Sequence, residues 1–334
     1  MVVSFIIVAY NAEKVIKNCL DCLKKQDYPH EQIEVILVNS NSKDNTKQKM
    51  LNFKENEKNF KRVLVLENEK KILPCGWNVA LREAQGEAIV RVDAHSTFPN
   101  NFITENVKEL ENGENIVGGH RISVTSDNTQ WQKTLLIAEQ SLFGSGIAKY
   151  RRTSERKYVN TLAHAMYRKK VFDEVGPYNE NLARTEDNEM HYRMRKAGYK
   201  FLLSPNIVSY HHVRNTLKGM VKQKYGNGKW IGITMKYCSK CFSIYHFVPL
   251  LFVLALIVSI SLAIFGIPIL LYLLLGAYAL FNIVNLVIII VQNGFNIQYL
   301  LLPFIFLILH CSYGWGTIVG LGKSAFTKKD SGKT

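Results

Sequence analysis

The chain has 334 residues and a formal net charge of +15, enough length for one large or two modest domains. The charge is not spread as a nucleic-acid-binding surface would need: Phe247 to Gly322 holds no Asp, Glu, Lys or Arg, while Arg214, Lys218, Lys222, Lys224, Lys229, Lys236 and Lys240 crowd the preceding stretch without an acid. This pattern implies a polar globular part of about 210 to 245 residues, then membrane segments, with the basic block on the cytoplasmic side beside anionic lipid.

Met1-Val2-Val3 leads straight into Ser4–Ala9 with no basic n-region and no small-residue cleavage site, so the globular part is expected to start in the cytoplasm. Ser4–Ala9 is a continuous apolar run, as in a central strand. Tyr10-Asn11-Ala12-Glu13 follows, with Asn11 placed to cap a helix in which Val15, Ile16, Cys19, Leu20 and Leu23 recur at helical spacing. Asp27-Tyr28-Pro29-His30 ends that helix. Ile33–Val38 reads as a second apolar strand, closing in the polar turn Asn39–Asp44. Lys43 to about Lys58 is polar and helical, and Arg62–Glu67 is a third strand. Gly76 to Gln85 reads as a helix that Gly86 closes. A fourth strand runs from Ala88 into Asp93-Ala94-His95. The alternation of strand and helix predicts βαβ units, so a mainly parallel sheet with right-handed crossovers.

The end of the fourth strand carries chemistry. Period-2 geometry puts Asp93 and His95 on one side of an extended chain, and ligands collect outside the carboxyl ends of strands in open α/β sheets. A carboxylate and an imidazole there could hold a divalent metal, and the metal a diphosphate. The alternative is a surface turn with a solvated Asp. A second stretch runs from Thr185 to Gly198. Thr185 is placed to cap; Glu186, Asp187 and Glu189 fill the first turn; Arg193, Arg195 and Lys196 fill the last; Gly198 stops the helix. The helix dipole alone accounts for that order, and the functional reading is that one of the paired acids faces a cleft as a general base. The six cysteines include Cys19 and Cys22, and Cys238 and Cys241, but their placement favours reduced, structural thiols over a zinc or redox site. There is no GxGxxG, and Gly322-Lys323-Ser324 has Thr317 where a P-loop needs glycine.

Taken together, Ser4–Asn11, the Asn39–Asp44 turn, Gly76 with Asn78, Arg91-Val92-Asp93-Ala94-His95, Thr185-Glu186-Asp187 with Arg193 and Gly198, and Gln223, Gly226, Gly228 and Trp230 follow an order that resembles family 2 glycosyltransferases. The match is closest to the bacterial ExoA-like branch that makes succinoglycan and other exopolysaccharides. The resemblance implies an α/β fold of the GT-A type followed by α-helical membrane segments. It also implies a nucleotide-sugar donor, Mg²⁺ or Mn²⁺, and inversion at the anomeric carbon. On the residues that match, Asp93 would hold the metal with His95 supporting it. Asp187 would be the base and Glu186 would position the acceptor. Ala9, Tyr10, Asn11, Glu13, Asn39, Gly76, Asn78 and Asp93 would bind the donor nucleotide, and Gln223 and Trp230 the acceptor.

This chain departs from the pattern at Asn39, where the family usually has an Asp against uracil; an Asn still offers an acceptor, so a UDP-sugar remains favoured. Gln223 and Trp230 are too far apart for the Gln-x-x-Arg-Trp of processive synthases, which implies addition of one sugar. The expected organisation is a catalytic domain over 1–212, a basic amphipathic segment over 213–245, about three membrane helices over 246–322 and a basic tail over 323–334. The acceptor is expected to be lipid-linked, such as a polyprenyl-diphosphate sugar, on the cytoplasmic face of a bacterial membrane. Three crossings put the basic tail outside, whereas the positive-inside tendency prefers it inside, and a re-entrant last segment would resolve this. Two rivals remain: a polyprenyl-phosphate sugar transferase, and a transporter with a cytoplasmic nucleotide-binding domain, for which His310 is the one ionisable residue inside the apolar segments.

Overall fold

Val3–Ala9 forms β1 with every residue buried, as a strand apolar on both sides requires cover on both. The computed structural model, which describes residues 1–125, 127, 129–141, 143–144, 150 and 155–326, continues with α1 (Ile16–Lys24), β2 (Ile33–Asn39), α2 (Thr46–Asn56), β3 (Arg62–Glu67), α3 (Leu73–Glu83), β4 (Ala88–Asp93), β5 (Ser96–Thr97), α4 (Phe102–Glu111) and β6 (Ile116–Val124). Then come α5 (Gln130–Gln140), β7 (Lys157–Val159), β8 (Met166–Arg168), α6 (Lys169–Val175), α7 (Glu186–Lys196), β9 (Phe201–His212), α8 (Leu217–Thr234), α9 (Val248–Ile264), α10 (Ile269–Asn293) and α11 (Leu302–Phe326).

Packing divides the chain into two units, Met1–Val124 with Ala148–His212, and Thr125–Ile147 with Val213–Thr334. The first unit ends at His212, and Thr125–Ile147 groups with the second. The reason is local: Leu135 and Ala138 of α5 bury themselves in an apolar cluster with Met220, Leu302 and Phe306.

The first unit is built on one mixed sheet in the order β3-β2-β1-β4-β8-β6-β9-β5, with β7 paired to β9. β3, β2, β1 and β4 are parallel, as the βαβ reading predicts, and β8 is antiparallel to both of its neighbours. Alternate residues serve opposite faces. Phe5, Ile7, Val35, Leu37, Val90 and Val92 pack with Leu20, Leu23, Met50 and Phe102. Ile6, Val8, Ile36, Val38 and Ile89 pack with Trp77, Ala80, Met190 and Met194. The parallel strands therefore end together at one edge, with α3 and α7 on a single face.

Several local expectations change. Asn11 does not cap α1, which starts at Ile16 after Val15; Asn11 instead sits at φ 47° in the turn leaving β1. The second helix starts at Thr46 because Ser42–Asp44 is tied to the β1 loop by hydrogen bonds. α3 starts at Leu73, three residues early, where Pro74 suits a first turn. Gly86 does not close it: Ala84 does, and a Cβ on Gly86 would lie 2.6 Å from the Ser4 nitrogen. Thr185 occupies the cap position of α7 without a side-chain cap bond, while Gly198 does stop that helix, at φ 90°.

Among the described residues, the second unit holds three helices long and apolar enough to cross a membrane, Ile244–Ile264, Ile269–Asn293 and Ile297–Ala325. The basic segment is largely α8, which lies along α11 at backbone contact. Ser312 Oγ donates to Val221 O at 3.0 Å. A Cβ on Gly228, Gly316 or Gly320 would stand 2.0 to 2.3 Å from the carbonyls of Tyr313, Tyr225 and Lys229. Only glycines allow helices this close. Lys224 of α8 pairs with Glu139 of α5 at 3.0 Å, with both side chains nearly buried. The basic tail lies outside the described residues from 327 onward.

Candidate active site

The loops leaving β1 and β2 are stitched to each other. Asn11 N donates to Ser42 Oγ at 3.0 Å, and Asn11 Oδ1 accepts from Lys43 N at 2.9 Å. Glu13 Oε2 accepts from Asn45 N at 3.0 Å, and Thr46 Oγ1 accepts from Ala12 N at 2.7 Å. Asn39, at the end of β2, is buried. Its amide donates to Glu67 Oε2 at 2.8 Å and its oxygen accepts from Ser42 N at 3.2 Å. Asn11, Asn41 and Lys71 have positive φ at these turns, and His164 has positive φ close by Asp93. Such strain in residues other than glycine persists where the surroundings over-determine it, often at functional sites. Tyr10 is 52% exposed beside Ala9, so its ring is open to stack on a planar ligand.

The end of β4 carries a second constellation. β5 pairs antiparallel with β9, Ser96 opposite His211, and so delivers His211 to Asp93 and His95. The ligand atoms of these three residues all lie within 4.8 Å of one another, and the rings of His95 and His211 meet edge to face at 4.9 Å. His164 backs the group: Nε2 lies 3.3 Å from Asp93 Oδ2 and 3.0 Å from Ser96 Oγ, and Nδ1 lies 2.9 Å from Ser209 Oγ. Burial opposes ionisation of Asp93, yet the hydrogen bond and charge of His164, with His95 and His211, hold its carboxyl well below the usual range. Burial, with Arg121, keeps His211 neutral, the form with a lone pair to donate. His211 Nδ1 is buried with no hydrogen-bond partner among the described residues. Two imidazoles and a carboxylate, with an orphaned nitrogen among them, fit a divalent cation.

The acid pair starts α7 on the same face of the sheet. Thr161 and Tyr167 hold His191 at 2.8 and 2.9 Å, and Arg193 binds Glu189 and the carbonyls of Val175 and Pro177, so the roll of the helix is fixed. Asp187 pairs with Arg91 through Oδ1, its side chain 39% exposed. Glu186 is 3% exposed. Burial, with Asp187 beside it and Asp93 nearby, pushes its carboxyl up to about 8. A carboxyl that stays protonated at neutral pH donates a hydrogen bond and takes no proton there.

That proton is a stability statement. The fold holds it up to about pH 8, whereas the free carboxyl releases it near 4.5, so stability should fall as pH rises between these values and level off above them. Glu186→Gln removes the ionisation. It is expected to melt with wild type below pH 5 and above it beyond pH 8, by a few kcal/mol at roughly 1.4 kcal/mol per pKa unit. Melting curves of the metal-free protein from pH 5 to 9 check this; parallel curves for the two proteins would remove the buried proton.

Two expected donor residues are occupied in packing. Gly76 lets α3 close on β1, since a Cβ there would meet Val8 Cγ1 at 2.5 Å. Asn78 donates to Tyr178 O at 2.9 Å and Glu180 Oε1 at 3.1 Å, and accepts from Tyr178 N at 2.8 Å. Gln223 and Trp230 lie on α8 in the second unit, seven positions apart. Reading the sequence missed His211, His164 and the partner of Arg91. The doublet His211-His212 at the end of an alternating apolar run was the available signal for the first.

The chain is 27% identical over 335 residues to the dolichyl N-acetyl-alpha-D-glucosaminyl phosphate 3-beta-D-2,3-diacetamido-2,3-dideoxy-beta-D-glucuronosyltransferase of Methanococcus voltae, covering 98% of this chain and 99% of that one. It is 30% identical over 173 residues to the succinoglycan biosynthesis protein ExoA of Rhizobium meliloti, about half of each chain. Among solved structures, the mannosyltransferase PcManGT of Pyrobaculum calidifontis, in complex with GDP-Man and Mn²⁺, superposes with a TM-score of 0.58 at 18% identity, over 98% of this chain and 88% of that one. The fold is therefore of the GT-A type. The model of glycosyl transferase family 2 matches residues 4–176, which run from β1 to α6 and include Asp93 and His95 but not His211 or α7, and the chain belongs to that family of glycosyltransferases.

Proposed function

We propose that the chain is an inverting, metal-dependent enzyme that moves one sugar from a nucleotide-sugar donor to a lipid-linked acceptor at a membrane, with its first unit in the cytoplasm. The observation that carries this reading is the meeting of Asp93, His95 and His211 with Glu186 and Asp187 at the strand ends of one sheet face. The full-length archaeal relative is named for a dolichyl phosphate-linked acceptor, which supports a polyprenyl-linked sugar here. The three apolar helices and the basic α8 support membrane attachment, and the exopolysaccharide resemblance supports a bacterial membrane.

In this reading Tyr10 stacks on the base, and Ala9, Asn11, Glu13 and Asn39 shape its pocket, with Gly76 and Asn78 supporting from behind. Asp93, His95 and His211 hold Mg²⁺ or Mn²⁺, which would offset charge on the departing nucleoside diphosphate. Two imidazoles in the set favour Mn²⁺ over the harder Mg²⁺. Asp187 takes the proton of the acceptor hydroxyl as its oxygen bonds to the anomeric carbon and the carbon–phosphate-oxygen bond breaks on the opposite face. An aspartate is a weak base toward an alcohol, so the proton moves late. Glu186, protonated, donates to the acceptor.

Release of nucleoside diphosphate from membranes carrying the full chain, with UDP- and GDP-sugars side by side and a lipid-linked sugar as acceptor, tests this. One donor should give acceptor-dependent release and a product of inverted anomeric configuration. Release that ignores the acceptor, or retention of configuration, would overturn the reading.

A further inference from the structure

Arg91 is a charged side chain in the interior, 8% exposed, two residues before Asp93 on β4 and on the same face. A buried guanidinium is costly unless paired. Here its carbon lies 5.0 Å from the Trp77 ring and 5.2 Å from the Tyr178 ring, each itself buried. Nη1 donates to Tyr178 OH at 3.0 Å, and Nη2 is ion-paired with Asp187 Oδ1. The walls of this slot are fixed in turn. Asn78 grips both the nitrogen and the carbonyl of Tyr178 and reaches Glu180, which pairs with Lys70 at 2.6 Å. Asp187 Oδ1 is buried against Arg91 while the side chain is 39% exposed, so its exposure falls on its other atoms.

We infer that Arg91 is a positioning residue: it ties down one oxygen of Asp187, leaves the other for the acceptor hydroxyl, and locks the base to the strand that carries Asp93. This rests on the reading of Asp187 as base. It gives the Trp77, Asn78 and Tyr178 cluster a task as the clamp that holds the planar guanidinium in one orientation toward Asp187. A planar fork held between two rings fixes direction in a way that a lysine on a flexible stem does not. Displacing a catalytic group by about 1 Å can cost about 10²-fold in rate.

The test uses the full chain in membranes. Arg91→Met keeps volume without charge and is expected to lower kcat about 10²-fold, with donor KM and nucleoside-diphosphate affinity within about threefold. Arg91→Lys, which keeps the charge should the first variant fold poorly, is expected to fall between it and wild type. The deciding measurement is a double-mutant cycle with Asp187→Asn. If Arg91 acts through Asp187, adding Arg91→Met to Asp187→Asn costs less than about threefold more. Additive losses on an already impaired Asp187→Asn enzyme, or a loss of donor affinity matching that in kcat, would overturn the role of Arg91 and leave the base in place. An Asp187→Asn enzyme as fast as wild type would overturn the base, and Arg91 with it.

Discussion

Asp187→Asn is expected to lower kcat by about 10²–10⁴-fold, with donor affinity nearly unchanged, because the amide keeps size and removes only the proton acceptor. The structure sharpens this relative to its neighbour. Adjacent residues on a helix point about 100° apart, so Glu186 and Asp187 meet different surroundings. Glu186 turns inward and keeps its proton to about pH 8, whereas Asp187 meets Arg91 and stays partly exposed. Glu186→Gln preserves a donor and should lose less, partly in acceptor KM. Steady-state kinetics at saturating donor separate the two. An Asp187→Asn enzyme within threefold of wild type, or a Glu186→Gln enzyme that is the slower of the pair, would reverse the assignment.

Chelation is expected to abolish turnover, and Mn²⁺ is expected to restore it better than Mg²⁺. Asp93→Ala should remove the effect of added metal, since it deletes the one anionic ligand of the group. His211→Ala should weaken Mn²⁺ binding by about 10-fold or more, and His164→Ala by about 10–100-fold, as expected for a residue that orients a ligand through hydrogen bonds. Mn²⁺ binding can be read from loss of the free-ion electron spin resonance signal, independently of turnover. Full activity in excess chelator, or unchanged Mn²⁺ affinity in both Asp93→Ala and His211→Ala, would exclude the metal site.

The two predictions draw on different kinds of information. Asp93 and His95 were legible because they are local: two positions apart at the end of an apolar run, on a strand whose type follows from its pattern. The acid pair was legible for the same reason, at the start of an amphiphilic helix. His211 was not, because its place depends on β9 pairing with β5 across more than a hundred residues. Arg91 looked like one more residue of a buried strand until Trp77, Tyr178 and Asp187, each from a different segment, closed around it.

By itself the sequence determined the order of strands and helices from β1 to β4, the helix that starts with Glu186 and Asp187, and the apolar stretches of the last part, since each rests on spacing along the chain. The capping role of Asn11 failed because its hydrogen bonds go to the Ser42–Lys43 turn, and the ending at Gly86 failed because of the close approach to Ser4, while Thr185 holds its position without the cap bond. Only tertiary structure decided that Thr125–Ile147 leaves the catalytic unit, since burial of Leu135 and Ala138 requires partners on α8 and α11. It alone decided that Glu186 keeps its proton to about pH 8, because that depends on burial and on the charges of Asp187 and Asp93 around it, which are set by packing between segments far apart in the chain.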